Sequence, residues 1–132
     1  NRIASAGIGV IGVILTILGE PASKANSRIM ARGISKSGKP YTRSIKSNKA
    51  RNYLNDLQKQ VCRIEPLLTE PLAINITIYY RTQRPDLDES VILDGLQGLI
   101  YQNDRQIREK HIYHAIDKQN PRTEIEIFPI ED

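Results

Sequence analysis

The sequence predicts a small α+β domain, a mixed sheet packed by two helices in the order β-α-β-α-β-β. Three observations carry this. Apolar and polar residues alternate in Leu72–Arg81, through Ile74, Ile76 and Ile78, and again in Arg122–Phe128, through Thr123, Ile125 and Ile127. That is the period of a half-buried strand. Ala50, Leu54, Leu57 and Val61 recur at i, i+4, i+7 and i+11, the stripe of an amphipathic helix. The last two strands, 107–116 and 122–128, are joined by a short turn at Asn120-Pro121, which places them side by side as a hairpin.

Taken in order, residues 1–12 read as an N-terminal extension without an assigned role, and 13–132 as one domain. Val13–Leu18 is rich in β-branched residues and stops at Gly19-Glu20-Pro21, a strand. Residues 22–43 carry Ser, Lys, Arg, Gly and Pro without apolar periodicity and read as a long basic loop. Helix one runs from Ser44 to Arg63, strand two over 72–81, and helix two from Glu89 to Gln102, capped by Ser90 or Asp88. Gly95 and Gly98 each weaken that helix by ~1 kcal/mol or else let another helix approach closely. Ile107–Ile116 is strand three, and 122–128 is strand four, at an edge. A chain of this size buries a modest core, so dimerisation is a natural source of more.

Several function classes drop out. Gly7–Leu18 is apolar but only twelve residues long, short of the ~20 that span a bilayer. Its flanks are poor for a secretory signal. Cys62 is the only cysteine, and His111 and His114 are the only histidines, so an internal disulfide and a Cys/His zinc cluster are excluded. A reducing compartment, the cytoplasm, is the expectation. Charge is divided along the chain. Residues 1–66 hold 12 Lys/Arg against 3 Asp/Glu, and residues 67–132 hold 7 against 12. A basic half joined to an acidic half suits a protein that grips a polyanion with one part and a cation with the other.

The acidic half contains Arg84-Pro-Asp-Leu-Asp88, directly after an apolar strand. On extended backbone Asp86 and Asp88 point to one side while Leu87 turns into the core. Two such carboxylates repel unless a cation lies between them, and Mg²⁺ takes oxygen ligands of this kind. Asn103-Asp104-Arg105-Gln106-Ile107 supplies another acidic turn between a helix and a strand. Asp-x-Asp alone is weak, since strand ends and helix caps are rich in Asp.

These motifs together resemble the RusA family of Holliday-junction resolvases. Arg-Pro-Asp-Leu-Asp, then Ile-Leu-Asp-Gly-Leu-Gln-Gly-Leu-Ile-Tyr, then Asn-Asp-Arg-Gln-Ile is similar to that family's Asp-Leu-Asp-Asn, Leu-Asp-Ala-Leu-Gln-Gly and Asp-Asp-Arg-Gln-Ile. Leu15 to Arg28 and Gly38-Lys-Pro-Tyr41 match more loosely, so the likeness covers about residues 13–128. The resemblance implies a dimer that acts on four-way DNA junctions by paired Mg²⁺-dependent nicking, in recombination and repair, with Mn²⁺ as an alternative ion; an intertwined dimer is the expectation if Asp104 is shared between subunits. It implies Asp86, Asp88 and Asp104 as catalytic, metal-holding residues, with Asp94 at a further acidic position. Asn103 stands where many members have Asp.

The DNA grip is expected from Lys24, Asn26, Arg28, Lys36, Lys39, Tyr41, Arg43, Lys46 and Lys49. The family typically has a Lys four residues after the second Asp. Here residues 89–103 contain no Lys or Arg, and the segment is about two residues shorter. Arg84, Arg105 and Arg108 are candidate substitutes. The alternative reading is a DNA-binding relative that kept the fold without efficient chemistry. One geometric question follows. A straight helix of about 12 residues would hold its ends ~18 Å apart. Either helix two is short or bent, or Asp104 reaches the site from a second subunit.

Overall fold

Alternation decides which side of the sheet is buried. In the computed structural model, which describes residues 2–5, 11–83 and 87–130, a five-stranded sheet has the order β1-β2-β7-β5-β6. Its strands are β1 (Arg2–Ser5), β2 (Ile11–Leu18), β5 (Leu72–Tyr80), β6 (Ile107–Ile116) and β7 (Arg122–Pro129). Val13, Leu15 and Ile17 of β2 stand opposite Ile127, Ile125 and Thr123 of β7. Those three face Ile74, Ile76 and Ile78 of β5 in turn. All nine are buried, and α1 (Asn48–Gln60) and α2 (Ser90–Leu96) complete the core through Ala50, Tyr53, Leu57, Val91, Ile92 and Leu96. The residues between them, such as Thr16, Asn75, Thr77, Glu124 and Glu126, lie on the other face.

The mixed α+β sheet with two helices is as the sequence predicts, but its order differs at one end. The 107–116 and 122–128 strands do not form a hairpin. β5 lies between β6, its parallel partner, and β7, its antiparallel partner. β7 is therefore interior, and β6 is the edge. Burial explains the exchange. Every second residue of β7 is apolar or small and must be covered on both sides, whereas β6 carries Arg108, Glu109, Lys110 and His111, exposed side chains that suit an edge. The histidines of β6 sit in ordinary surroundings, with His114 stacked on Tyr80 at a centroid distance of 5.7 Å. Arg2–Ser5 of the supposed extension pairs antiparallel with β2 and adds the opposite edge.

The segment read as a long loop, 22–43, folds into a 3₁₀ turn (Lys24–Asn26) and then a two-stranded ribbon of β3 (Arg28–Ile34) and β4 (Pro40–Lys46). No apolar periodicity marks it in the sequence, because both its faces mix basic and apolar residues. The reversal is local: the Gly38 N–H donates to the Ser35 carbonyl at 2.9 Å, with Gly38 at φ +83°. Ser44–Lys46 belong to β4, and α1 begins later, capped by Ser47, whose hydroxyl accepts the Ala50 N–H at 3.1 Å.

Helix two is shorter than predicted. It ends at Leu96, and Gly98, at φ +85°, turns the chain back so that its N–H donates to the Tyr101 carbonyl at 2.8 Å. Gly95 has the other role open to a glycine. A Cβ there would stand 2.8 Å from Leu54 Cδ1 and 2.9 Å from Leu57 Cδ2, so its absence lets α2 lie tight on α1. Among the described residues no helix is long and apolar enough to cross a membrane.

Candidate functional site

Asp88 precedes α2 and is only 7% exposed. Leu87 beside it is half-buried against the core, but Asp88, expected to point the other way, is the more buried of the two. The Asp88 carboxylate accepts the Ser90 N–H at 3.1 Å and the Ser90 hydroxyl. Burial opposes its ionisation. The Ser27 hydroxyl, the Ser90 hydroxyl and N–H, and the positive charge of Lys24 outweigh that and hold the carboxyl below the usual carboxylate range. The result is an ionised oxygen donor fixed at the edge of the core.

Lys24 and Ser27 are close enough to bear on the charge of Asp88 because their turn is itself pinned. The Asn26 N–H donates to the Ser23 carbonyl at 3.0 Å, the Ser27 hydroxyl to the same carbonyl at 2.6 Å, and the Ser47 hydroxyl to the Asn26 carbonyl at 2.6 Å. The turn is thus tied to the cap of α1 on one side and to the start of α2 on the other. Lys24 is expected from the sequence only as a phosphate contact and Ser90 only as a helix cap, and Ser27 carries no signal at all. Nothing within 60 residues of Lys24 signals Asp88, since the contact is made by the fold.

Asp104 lies beyond the C-terminal end of α2, at the start of a 3₁₀ turn. Its N–H donates to Gln97 Oε1 at 2.9 Å, and Asn103 and Gln106 close a capping box around the 3₁₀ turn Asp104–Gln106. The short helix and the fold-back at Gly98 bring Tyr101 against it, the Tyr101 hydroxyl donating to the Leu93 carbonyl at 2.6 Å. Burial, then the charges of Asp104 and Asp94, push the Tyr101 phenol up. Asp94 itself is exposed and pairs with Lys46 at 3.6 Å. Asp86 falls outside the described residues, and among the described residues no group of three or more acidic, His or Cys side chains is arranged to hold a metal.

The predicted DNA contacts divide between the foot and the length of the ribbon. Lys24 and Asn26 are in the turn, Arg28 opens β3, and Lys36 and Lys39 flank the tip. Tyr41, Arg43 and Lys46 are on β4, and Lys49 is in the first turn of α1, 3.9 Å from Glu20. The Lys46–Asp94 ion pair places the foot of the ribbon beside α2, and the charge of Lys24 is felt at Asp88.

The model of a known family, the endodeoxyribonuclease RusA, matches residues 19–128. The chain belongs to the RusA family. No curated protein gave a significant match. The family match spans the ribbon, both helices, Asp86, Asp88 and Asp104, and nearly all of the last strand.

Proposed function

We propose that this RusA family member resolves four-way DNA junctions by paired nicking, as a homodimer that uses a divalent cation, Mg²⁺ or Mn²⁺. The observation that carries the reading is Asp88, a carboxylate kept ionised at 7% exposure beside a lysine on a pinned turn. Its hard oxygen donors fit such a cation. Asp86, Asp88 and Asp104 would hold it. When bound, a divalent cation polarises a phosphoryl oxygen and eases deprotonation of water.

The chain's own residues do the rest. Asp88 carries its charge before substrate arrives, because the Ser90 N–H and hydroxyl already donate to it. Lys24 supplies positive charge where a scissile phosphate would meet Asp88, and so stands in for the Lys absent from residues 89–103. That absence is the ground for the alternative, a DNA-binding relative without efficient chemistry. Arg28, Lys36, Lys39, Arg43, Lys46 and Lys49, with Asn26 and Tyr41, grip the backbone and hold the duplex arms.

The test is a set of single variants, Asp86→Asn, Asp88→Asn and Asp104→Asn. Each abolishes nicking of a labelled four-way junction and leaves junction binding intact or tighter, because a carboxylate is lost while the phosphate grip remains. Binding that collapses as far as cleavage would make these residues structural and remove the reading.

A further inference from the structure

The β3–β4 ribbon stands apart from the five-stranded sheet and packs chiefly on itself and on the turn before it. A two-stranded ribbon alone is marginally stable in water, so a ribbon of this kind is built to meet something. Its two faces differ. On one, Ile29, Ala31 and Gly33 of β3 stand opposite Ile45, Arg43 and Tyr41 of β4. Ala31, Gly33 and Ile45 are half-buried there. Tyr41 acts as a strut on that face. A Cβ on Gly33 would come within 2.5 Å of its ring, so the ring lies against the bare glycine backbone.

The other face is open to solvent over almost its whole length. Along β3 it presents Arg28, Met30, Arg32 and Ile34, a cation and an apolar side chain in strict alternation at every second residue. Met30 is 65% exposed and Ile34, nearest the tip, 74%. Arg28 lies across the ribbon, with Nε 2.8 Å from Ser44 Oγ and Nη2 2.8 Å from the Ser44 carbonyl. Between residues 28 and 46 there are six Lys/Arg and no Asp or Glu.

We propose that this face of the ribbon enters a groove at the branch point of a DNA junction, with Ile34 as a wedge against unstacked base pairs and Met30 behind it. The inference rests on the DNA reading above and names the part of the chain that recognises branching. A two-stranded ribbon fits the major groove, and apolar wedges such as Ile and Met hold kinked base steps open. Seven residues reach ~23 Å, enough to run along a groove. Arg28, Arg32, Lys36 and Lys39 neutralise flanking phosphates but attract any duplex equally. Unstacking is cheapest where stacking is already broken, so two apolar side chains on a cationic ribbon discriminate a branch from a linear duplex.

The test uses the full chain in EDTA, so that DNA stays uncut, with 2-aminopurine beside the branch point. The wild-type chain raises the fluorescence as the base unstacks. The double variant Met30→Thr/Ile34→Thr keeps the strand propensity and every charge. It abolishes the fluorescence rise and weakens junction binding about tenfold. Binding to linear duplex stays within about twofold, and the slope of log K against log salt is unchanged. Arg32→Gln gives the reverse pattern, a shallower salt slope with the fluorescence rise retained. A double variant that binds and unstacks the junction like wild type overturns the wedge and leaves the nuclease reading standing. A double variant whose dimer dissociates without DNA overturns it too, by showing that the face docks a second copy. A wild-type chain that binds no junction overturns both readings.

Discussion

Asp88→Ala and Asp88→Asn are expected to agree in activity and to differ in stability. In the wild-type chain the carboxylate accepts the Ser90 N–H at 3.1 Å and the Ser90 hydroxyl. Hydrogen bonds to a charged group are worth ~1.5–3 kcal/mol each, and a buried donor left without its acceptor loses its desolvation energy as well. Ala removes every acceptor at once. Ser90 is exposed, so water recovers part of the loss. The net destabilisation is about 2–3 kcal/mol, a fall in Tm of roughly 10 °C for a domain of this size. Asn keeps one oxygen for the Ser90 N–H and loses only charge, so it stays within about 1 kcal/mol of wild type. Both variants lose the anion, and cleavage drops by at least about 10²-fold in each. Thermal melts read the first effect, and nicking of a labelled four-way junction the second. An Asn variant that cuts at near wild-type rate would refute the need for charge at Asp88. An Ala variant as stable as the Asn one would refute the hydrogen-bonded tie.

Three further perturbations follow from the same geometry. Lys24→Gln lowers the cleavage rate on bound junction by about 10²-fold while Lys24→Arg restores most of it; a loss confined to binding would reduce Lys24 to a phosphate contact. Asp88 is held below its ordinary value of 3.8, so its share of stability is in force above that value and is lost as pH falls through the lower folded one. Melting temperature therefore falls less steeply below about pH 4 in Asp88→Asn than in wild type, and identical acid limbs would contradict an ionised Asp88. The two glycines of the α2 region separate by substitution. Gly98→Ala, at φ +85°, destabilises through backbone strain by about 1 kcal/mol, whereas Gly95→Val, facing Leu54 and Leu57, overpacks the helix contact by about 1–3 kcal/mol. Denaturant melts measure both, and a neutral Gly95→Val would show that α1 and α2 do not need their close approach.

What the sequence made legible is whatever periodicity records. Ile74, Ile76 and Ile78, Ile125 and Ile127, and the Ala50–Val61 stripe each state a face, and each face is buried where expected. Strand neighbours are not recorded in that way. The short Asn120-Pro121 turn reads as a hairpin, but β7 has a fully buried apolar face, Thr123, Ile125 and Ile127, and enters between β2 and β5. The ribbon was illegible for the opposite reason. Arg28, Met30, Arg32 and Ile34 alternate perfectly well, but cation with apolar side chain, so no hydrophobic face appears. The carboxylates stood out through motif and resemblance. The partners that hold Asp88, Ser27 and Lys24, are more than 60 residues away and become visible only once the turn is pinned to the α1 cap.

The central claim is that a divalent cation held by these carboxylates cuts branched DNA. It is tested most directly by incubating the wild-type chain with an end-labelled four-way junction in Mg²⁺ and, in parallel, in EDTA. The account predicts paired nicks in two opposed strands with Mg²⁺, none with EDTA, and an uncut linear duplex of the same sequence. A chain that binds the junction yet leaves it intact in both Mg²⁺ and Mn²⁺, or that nicks it equally well in EDTA, would contradict the account.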